Sequence, residues 1–158
     1  MCEYTQRTGH FSSAFTLTGC LFRQIRVLGL DTPCEGPPPY LSHHGRELEY
    51  RCVWAAYCID ALLGCGVDKH TSWRDDVPRI PLPCPNSRFN SGEPSQLQLM
   101  PSLEYQDSAA SLSHLDLPAL NIVMIHLRTR VLSCIRKGPN AGPLENPMSD
   151  FMDLLRQL

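Results

Sequence analysis

Gly45–Asn86 constrains the fold more than any other stretch of this chain. It joins a helix-patterned run, GRELEYRCVWAAYCIDALLG, to a segment punctuated by Pro78, Pro81, Pro83 and Pro85. On a helical wheel Leu48, Cys52, Ala55, Ile59 and Leu62 form one apolar stripe, and Tyr50, Trp54, Tyr57 and Ala61 form a second on another side. Charge is confined to Glu47, Glu49, Arg51 and Asp60 within that run. A helix apolar on two sides is expected to pack between neighbours. The proline-rich tail can be neither a helix nor an inner strand, because each proline removes a backbone donor and fixes φ. The pair therefore reads as the inside of a helical domain followed by an extended strap.

Similar patterns flank this unit. Ser12 or Ser13 is expected to cap a helix with Ala14, Leu17, Leu21, Ile25 and Leu28 on one face, stopped by Gly29. A connector over 31–44 contains Pro37, Pro38 and Pro39, a short polyproline-like run. The central helix is expected from Gly45 or Glu47 to Gly64. Residues 66–86 should be extended but ordered against helices, and about 87–112 mobile. A further helix begins near Asp116, with Pro118 in its first turn and a stripe of Leu117, Leu120, Met124, Leu127, Val131 and Ile135; Gly138 ends it. After a Pro/Gly connector, Ser149 caps a last helix carrying Phe151, Leu154, Leu155 and Leu158. Because this pattern stops without a capping residue, the chain reads as truncated. The expected architecture is all-α: a partial helical domain of about four main helices with a long Pro-rich connector, over residues 13–158. Residues 1–12 form a disordered N-terminus. No internal repeat is visible, so a solenoid is not indicated.

The 14 basic and 16 acidic residues give a net charge of −2, with the basic residues scattered. Nucleic-acid binding draws on clustered Lys and Arg, so this chain is not expected to read DNA by itself. The eight cysteines are spread along the chain, none closer than six positions to the next, and Met1-Cys-Glu-Tyr-Thr-Gln does not begin a signal peptide. They read as free, largely buried thiols of an intracellular, soluble protein rather than as a disulfide framework. No apolar run nears the roughly 20 residues that span a bilayer.

No constellation for chemistry stands out. Paired zinc-ligand spacings are missing; His43 and His44 are adjacent, so their side chains diverge. Cys58 and Cys65 lie seven apart and read as packing, and no histidine is tied to a cysteine by a known local signature. Asp75 and Asp76, side by side in the connector, read as solvated or capping acids. Trp54 and Tyr57 can wall a ligand pocket between helices, but core packing is the stronger default. Phosphate-loop, dinucleotide, nucleophile-elbow and zinc-protease motifs are absent, so no enzyme is indicated.

Taken together, the Glu47-to-Asp60 helix with Arg51, Trp54, Tyr57 and Asp60, the Gly64-Cys65-Gly66 turn, and Asp75-Asp76 leading into Ile80-Pro81-Leu82-Pro83 resemble the middle homology region of fungal binuclear zinc-cluster transcription factors, the fungal-specific transcription factor domain. Three further pieces agree in order: the helix ending Leu28-Gly29-Leu30, the Leu120–Ile135 helix, and Asn146-Pro147-Met148-Ser149-Asp150-Phe151. The resemblance covers about residues 13–158 and an interior portion of the domain. The chain departs from the family in having Gly66-Val67-Asp68-Lys69 where Gly-Arg-Pro often follows the Asp-ended helix, and in lacking the six-cysteine cluster.

The resemblance implies the regulatory region of a nuclear transcription regulator. It would reach DNA only through a missing N-terminal module, where zinc would also be bound, and it would hold no cofactor of its own. A co-regulator, a small-molecule effector or a homodimer are the implied partners; no membrane is. Arg51, Trp54, Tyr57, Asp60, Asp76, Pro81 and Pro83 carry the family motif as structural residues, and no catalytic, cofactor or metal residue is assigned. The other readings are a free-standing helical ligand-binding or adaptor module, a degenerate non-functional fragment, and a small cysteine-dependent enzyme.

Overall fold

The structure is a computed structural model, described here for residues 8–32, 42–67, 70–73, 76–92, 99–100 and 115–137. Among the described residues four helices appear in chain order: α1 (Phe11–Leu28), α2 (His43–Gly64), α3 (Asn86–Ser91) and α4 (Leu117–Lys137). Among the described residues there is no strand, and the protein is all-α. No helix there is long and apolar enough to cross a membrane.

The central helix α2 packs against both α1 and α4. Ser42 caps it, its hydroxyl accepting from the Gly45 N–H at 3.1 Å, so α2 starts about a turn earlier than the Gly45 or Glu47 expected. Its buried residues span one broad arc: Glu47, Val53, Trp54, Ala56, Tyr57, Asp60, Ala61, Leu63 and Gly64. The expected stripe through Trp54, Tyr57 and Ala61 belongs to that arc. The other stripe does not: Leu48, Cys52 and Ala55 are exposed, and Ile59 and Leu62 are half-buried. The physical reason is that α1, α4 and the strap all meet the Trp54 face, leaving the back of α2 uncovered by any of them.

Similar rotations correct the other two stripes. α1 begins at Phe11 after His10, which makes no side-chain cap, so Ser12 and Ser13 lie inside the helix and do not cap it. It buries Ala14, Thr18 and Ile25, with Leu21 and Phe22 packed at the core's edge, while Leu28 stays exposed. The face is turned toward Phe22 because that ring packs edge-on against Trp73 at 4.8 Å. Gly29 ends α1 as expected, at φ 65°, with the Gly29 and Leu30 N–H groups reaching back to the Arg26 and Ile25 carbonyls, a Schellman motif. In α4 the core residues are Ala119, Ile122, Val123 and Leu127. Leu117, Met124 and Ile135, expected to be buried, are exposed, and Leu120 and Val131 are half-buried.

Residues 65–67 and 70–73 fold back onto the helices. Cys65 (φ 48°) and Gly66 (φ 73°) are both left-handed. A Cβ on Gly66 would run into Leu132 of α4, and one on Gly64 into Thr71, so both positions let backbone approach where a side chain cannot. The strap follows without helix, as expected, with Pro78, Ile80, Pro81, Leu82, Pro83 and Cys84 buried. At the start of the stretch expected to be mobile, Asn86–Ser91 form α3, closed by Gly92 at φ 70°. This short helix is held by the Phe89 ring, sandwiched between the Arg51 guanidinium at 4.2 Å and the His44 ring at 4.3 Å. Residues 1–7, the triple-proline connector, Asp75, residues 93–98 and 101–114, and the last helix expected from Ser149 lie outside the described residues.

Candidate functional site

An extended strap without a strand partner must find hydrogen bonds for its buried backbone, since an orphaned buried N–H or C=O costs about 1–3 kcal/mol. Here α2 supplies them. Glu47 accepts the Cys84 N–H on Oε1 at 2.8 Å and, on the same oxygen, the Arg51 Nε–H at 2.9 Å. Arg51 donates through Nη2 to the Cys84 carbonyl at 2.8 Å and through Nη1 to Asn86 Oδ1 at 2.9 Å. Two turns from Glu47, Trp54 Nε1 donates to the Pro81 carbonyl at 2.7 Å. Near the end of α2, Asp60 Oδ2 accepts the N–H groups of Ser72 at 2.7 Å and Trp73 at 3.3 Å.

The helix and strap thus run antiparallel, and positions 47, 51, 54 and 60 fasten residues 84–86, 81 and 72–73 in turn. Asp60 is 3% exposed, and burial pushes its carboxyl up from the usual carboxylate range against the lowering effect of the Ser72 and Trp73 hydrogen bonds. Arg26 of α1 closes the outer edge: its Nε meets Asp31 at 2.8 Å and its Nη2 meets Asp76 at 2.9 Å. The Asp31 carbonyl also accepts the Arg79 N–H at 3.0 Å.

A second polar contact crosses the core between α2 and α4. Tyr57 Oη lies 2.6 Å from His126 Nδ1. Burial, then the nearby Arg130 charge, pushes the His126 pKa down to about 4. Near neutral pH the ring is therefore uncharged, with Nδ1 free to accept the Tyr57 proton. Burial, with Cys58 and Asp60 adding to it, pushes the Tyr57 hydroxyl up, so it remains the donor. Tyr57 also meets Trp54 edge-on at 5.5 Å and lies 6.0 Å from Trp73.

The motif residues therefore have definite places. Arg51, Trp54 and Asp60 fasten the strap; Tyr57 joins α2 to α4; Pro81 and Pro83 are buried in the strap, Pro81 lending its carbonyl to Trp54. Asp76 stands apart at the surface, paired with Arg26. Trp54 and Tyr57, 1% and 4% exposed, are filled around as core residues, which leaves the pocket reading without support. Sequence reasoning passed over His126, Asn86 and Phe89. A histidine one turn from Ile122 and Val123 gives no sign of a buried partner, and Phe89 lay in a stretch with no helical period.

Chemically, these groups are used up by backbone and by each other. Cys58 is raised to about 11 and Cys84 is also raised, both chiefly by burial, so both are held as thiols rather than as nucleophilic thiolates. Among the described residues no group of three or more His, Cys, Asp or Glu side chains is placed to hold a metal. The cysteines described there are free; only Cys84 is buried, Cys58, Cys65 and Cys134 are half-buried, and Cys20 and Cys52 are exposed.

The chain is similar to the Zn(2)-C6 fungal-type transcription factor FTF1c of Fusarium oxysporum f. sp. lycopersici, with 27% identity over 130 residues. That alignment takes in 76% of this chain but 14% of the Fusarium protein, so the chain spans about a seventh of its relative. No family model matches the chain, and no solved structure does.

Proposed function

We propose that this chain is the regulatory, middle-homology portion of a fungal zinc-cluster transcription factor, acting in the nucleus. The observation that carries this reading is the similarity to a Zn(2)-C6 transcription factor across three quarters of the chain. The fastened α2–strap unit supports it, because the side chains that hold the strap are those on which the sequence resemblance stands. In this reading DNA contact belongs to a separate zinc-cluster module, and the helical region tunes activation in response to a co-regulator or small effector, alone or as a homodimer.

The test is a reporter assay in a fungal host, with the chain inserted between a heterologous DNA-binding module and an activation segment. We expect the insertion to change reporter output at least ~threefold at matched protein level. The Asp60→Ala variant should return output toward that of the fusion without the insert, because it releases the strap. Identical output with and without the native insert, at matched nuclear protein, would exclude a regulatory role for this region.

A further inference from the structure

The uncovered side of α2 is unusual for a helix in water. From Gly45 onward its exposed residues are Leu48, Cys52 and Ala55, and half-buried Ile59 and Leu62 extend the same line. These five positions step by four, three, four and three residues, the spacing of a coiled-coil seam, over about 21 Å of helix. No charged side chain falls within the line. Arg51 beside it is turned to the strap, bound to Glu47, Cys84 and Asn86. A solvated helix face ordinarily carries charge, so a seam without any is suited to being covered.

The seam matches itself when a second copy runs the opposite way. With a two-fold axis between Cys52 and Ala55, each Leu48 lies on the partner's Ile59 and each Cys52 on the partner's Ala55, so bulky layers flank a small centre. Gly45 leaves room for the partner's Leu62. The small central layers let the two backbones approach to the short end of the about 8–10 Å range of packed helices. Charge is complementary as well. α2 has no basic residue in its last turn, whereas exposed His44 stands in its first turn on the seam side. Antiparallel pairing brings each His44 ring to the partner's last turn, where the carbonyl ends are negative, and sets the two helix dipoles against each other favourably. Glu49 and Arg51, at the flanks, lie level with positions 58 and 56 of the partner, so neither meets its own copy. Two heptads cover less than the about 800 Å² per partner of a standard interface, so the pair is weak and the dilute chain monomeric.

We propose that the outer face of α2 is the seam of an antiparallel homodimer, with Leu48 packed on the partner's Ile59 and Cys52 on the partner's Ala55. This gives the homodimer of the preceding reading a surface and rests on that reading for its role alone; the behaviour of the purified chain decides it whatever the reporter assay returns. The test is sedimentation of the whole chain from micromolar toward millimolar concentration, where a monomer–dimer equilibrium is expected. Ala55→Glu, at an exposed position, sets two carboxylates beside the axis and should weaken association at least ~tenfold while the dilute melt is unchanged. Val27→Asp, 86% exposed on α1, should leave association as it is. Mild oxidation of the Ala55→Cys variant should join Cys52 of one copy to the new thiol at position 55 of the other. A monomer at every concentration overturns the proposal, as does a dimer that survives Ala55→Glu. Links joining only 52 to 52 and 55 to 55 also overturn it, because they belong to a parallel pair.

Discussion

Two neighbours on the buried arc of α2 are held to it by different physics. The strap is fastened by side chain-to-backbone hydrogen bonds from Glu47, Arg51, Trp54 and Asp60, each aimed at a backbone group that would otherwise be buried alone. Helix α4 packs through Ala119, Ile122, Val123 and Leu127, with the Tyr57–His126 bond as a polar crossing. Apolar packing is non-directional and tolerates changes that keep volume. The strap seam is directional, so it depends on a few particular atoms. The lesson is that buried charge and Trp N–H on α2 belong to the backbone of an irregular segment, not to a reaction.

The apolar seam should be the costlier to break. Leu127→Ala, at a position 4% exposed, is expected to lower stability by about 3 kcal/mol through lost burial and the residual cavity, measured by chemical denaturation. A comparable result would come from acidity alone. The folded His126 pKa of about 4 lies below the ordinary 6.5, so between those values the unfolded chain binds the proton more strongly. Stability should therefore fall as pH drops from about 6.5 to 4 and then level off with respect to this group, by up to about 3 kcal/mol. The raised Asp60 carboxyl works in the opposite sense, easing its burial cost on protonation as pH falls through its raised pKa. In His126→Gln the 6.5-to-4 slope should flatten; an unchanged slope would assign it to other groups.

At the strap seam, Asp60→Ala is expected to cost about 2 kcal/mol by orphaning the Ser72 and Trp73 N–H groups. Asp60→Asn keeps an acceptor and sheds the buried charge, so it should cost less than about 1 kcal/mol. Amide exchange at Ser72 and Trp73 separates the two variants, and equal effects would argue that charge rather than acceptance matters. The smallest change belongs to the back of α2. Leu48→Ala, 45% exposed, should shift the stability of the dilute monomer by no more than about 0.5 kcal/mol, and a larger loss would show that this stripe is covered there too.

Much of the frame was legible in the residues. Gly29 stops α1 because only a left-handed residue lets the chain leave through the Schellman bonds, and the prolines of 78–85 hold the strap out of any helix. The choice of face was not legible. In α2 both stripes are apolar by composition, and α4 offers Met124 and Ile135 as readily as Val123 and Leu127. Periodicity reports that a face exists, not which neighbour arrives at it. The site was half readable: Arg51, Trp54 and Asp60 stood out as polar or polar-tipped residues on an otherwise apolar helix, yet their backbone partners lie 12 to 33 positions away.

The chain alone determined the three long helices α1, α2 and α4, the Gly29 stop of α1 and the extended course of the strap, because helical periodicity, left-handed glycines and proline act over a few residues. Only the tertiary structure decided that Glu47, Arg51, Trp54 and Asp60 complete the strap's hydrogen bonds, that His126 is the neutral partner of Tyr57, and that Phe89 is held between Arg51 and His44. Those pairings join elements distant in sequence. They form only where burial removes water as the competing partner.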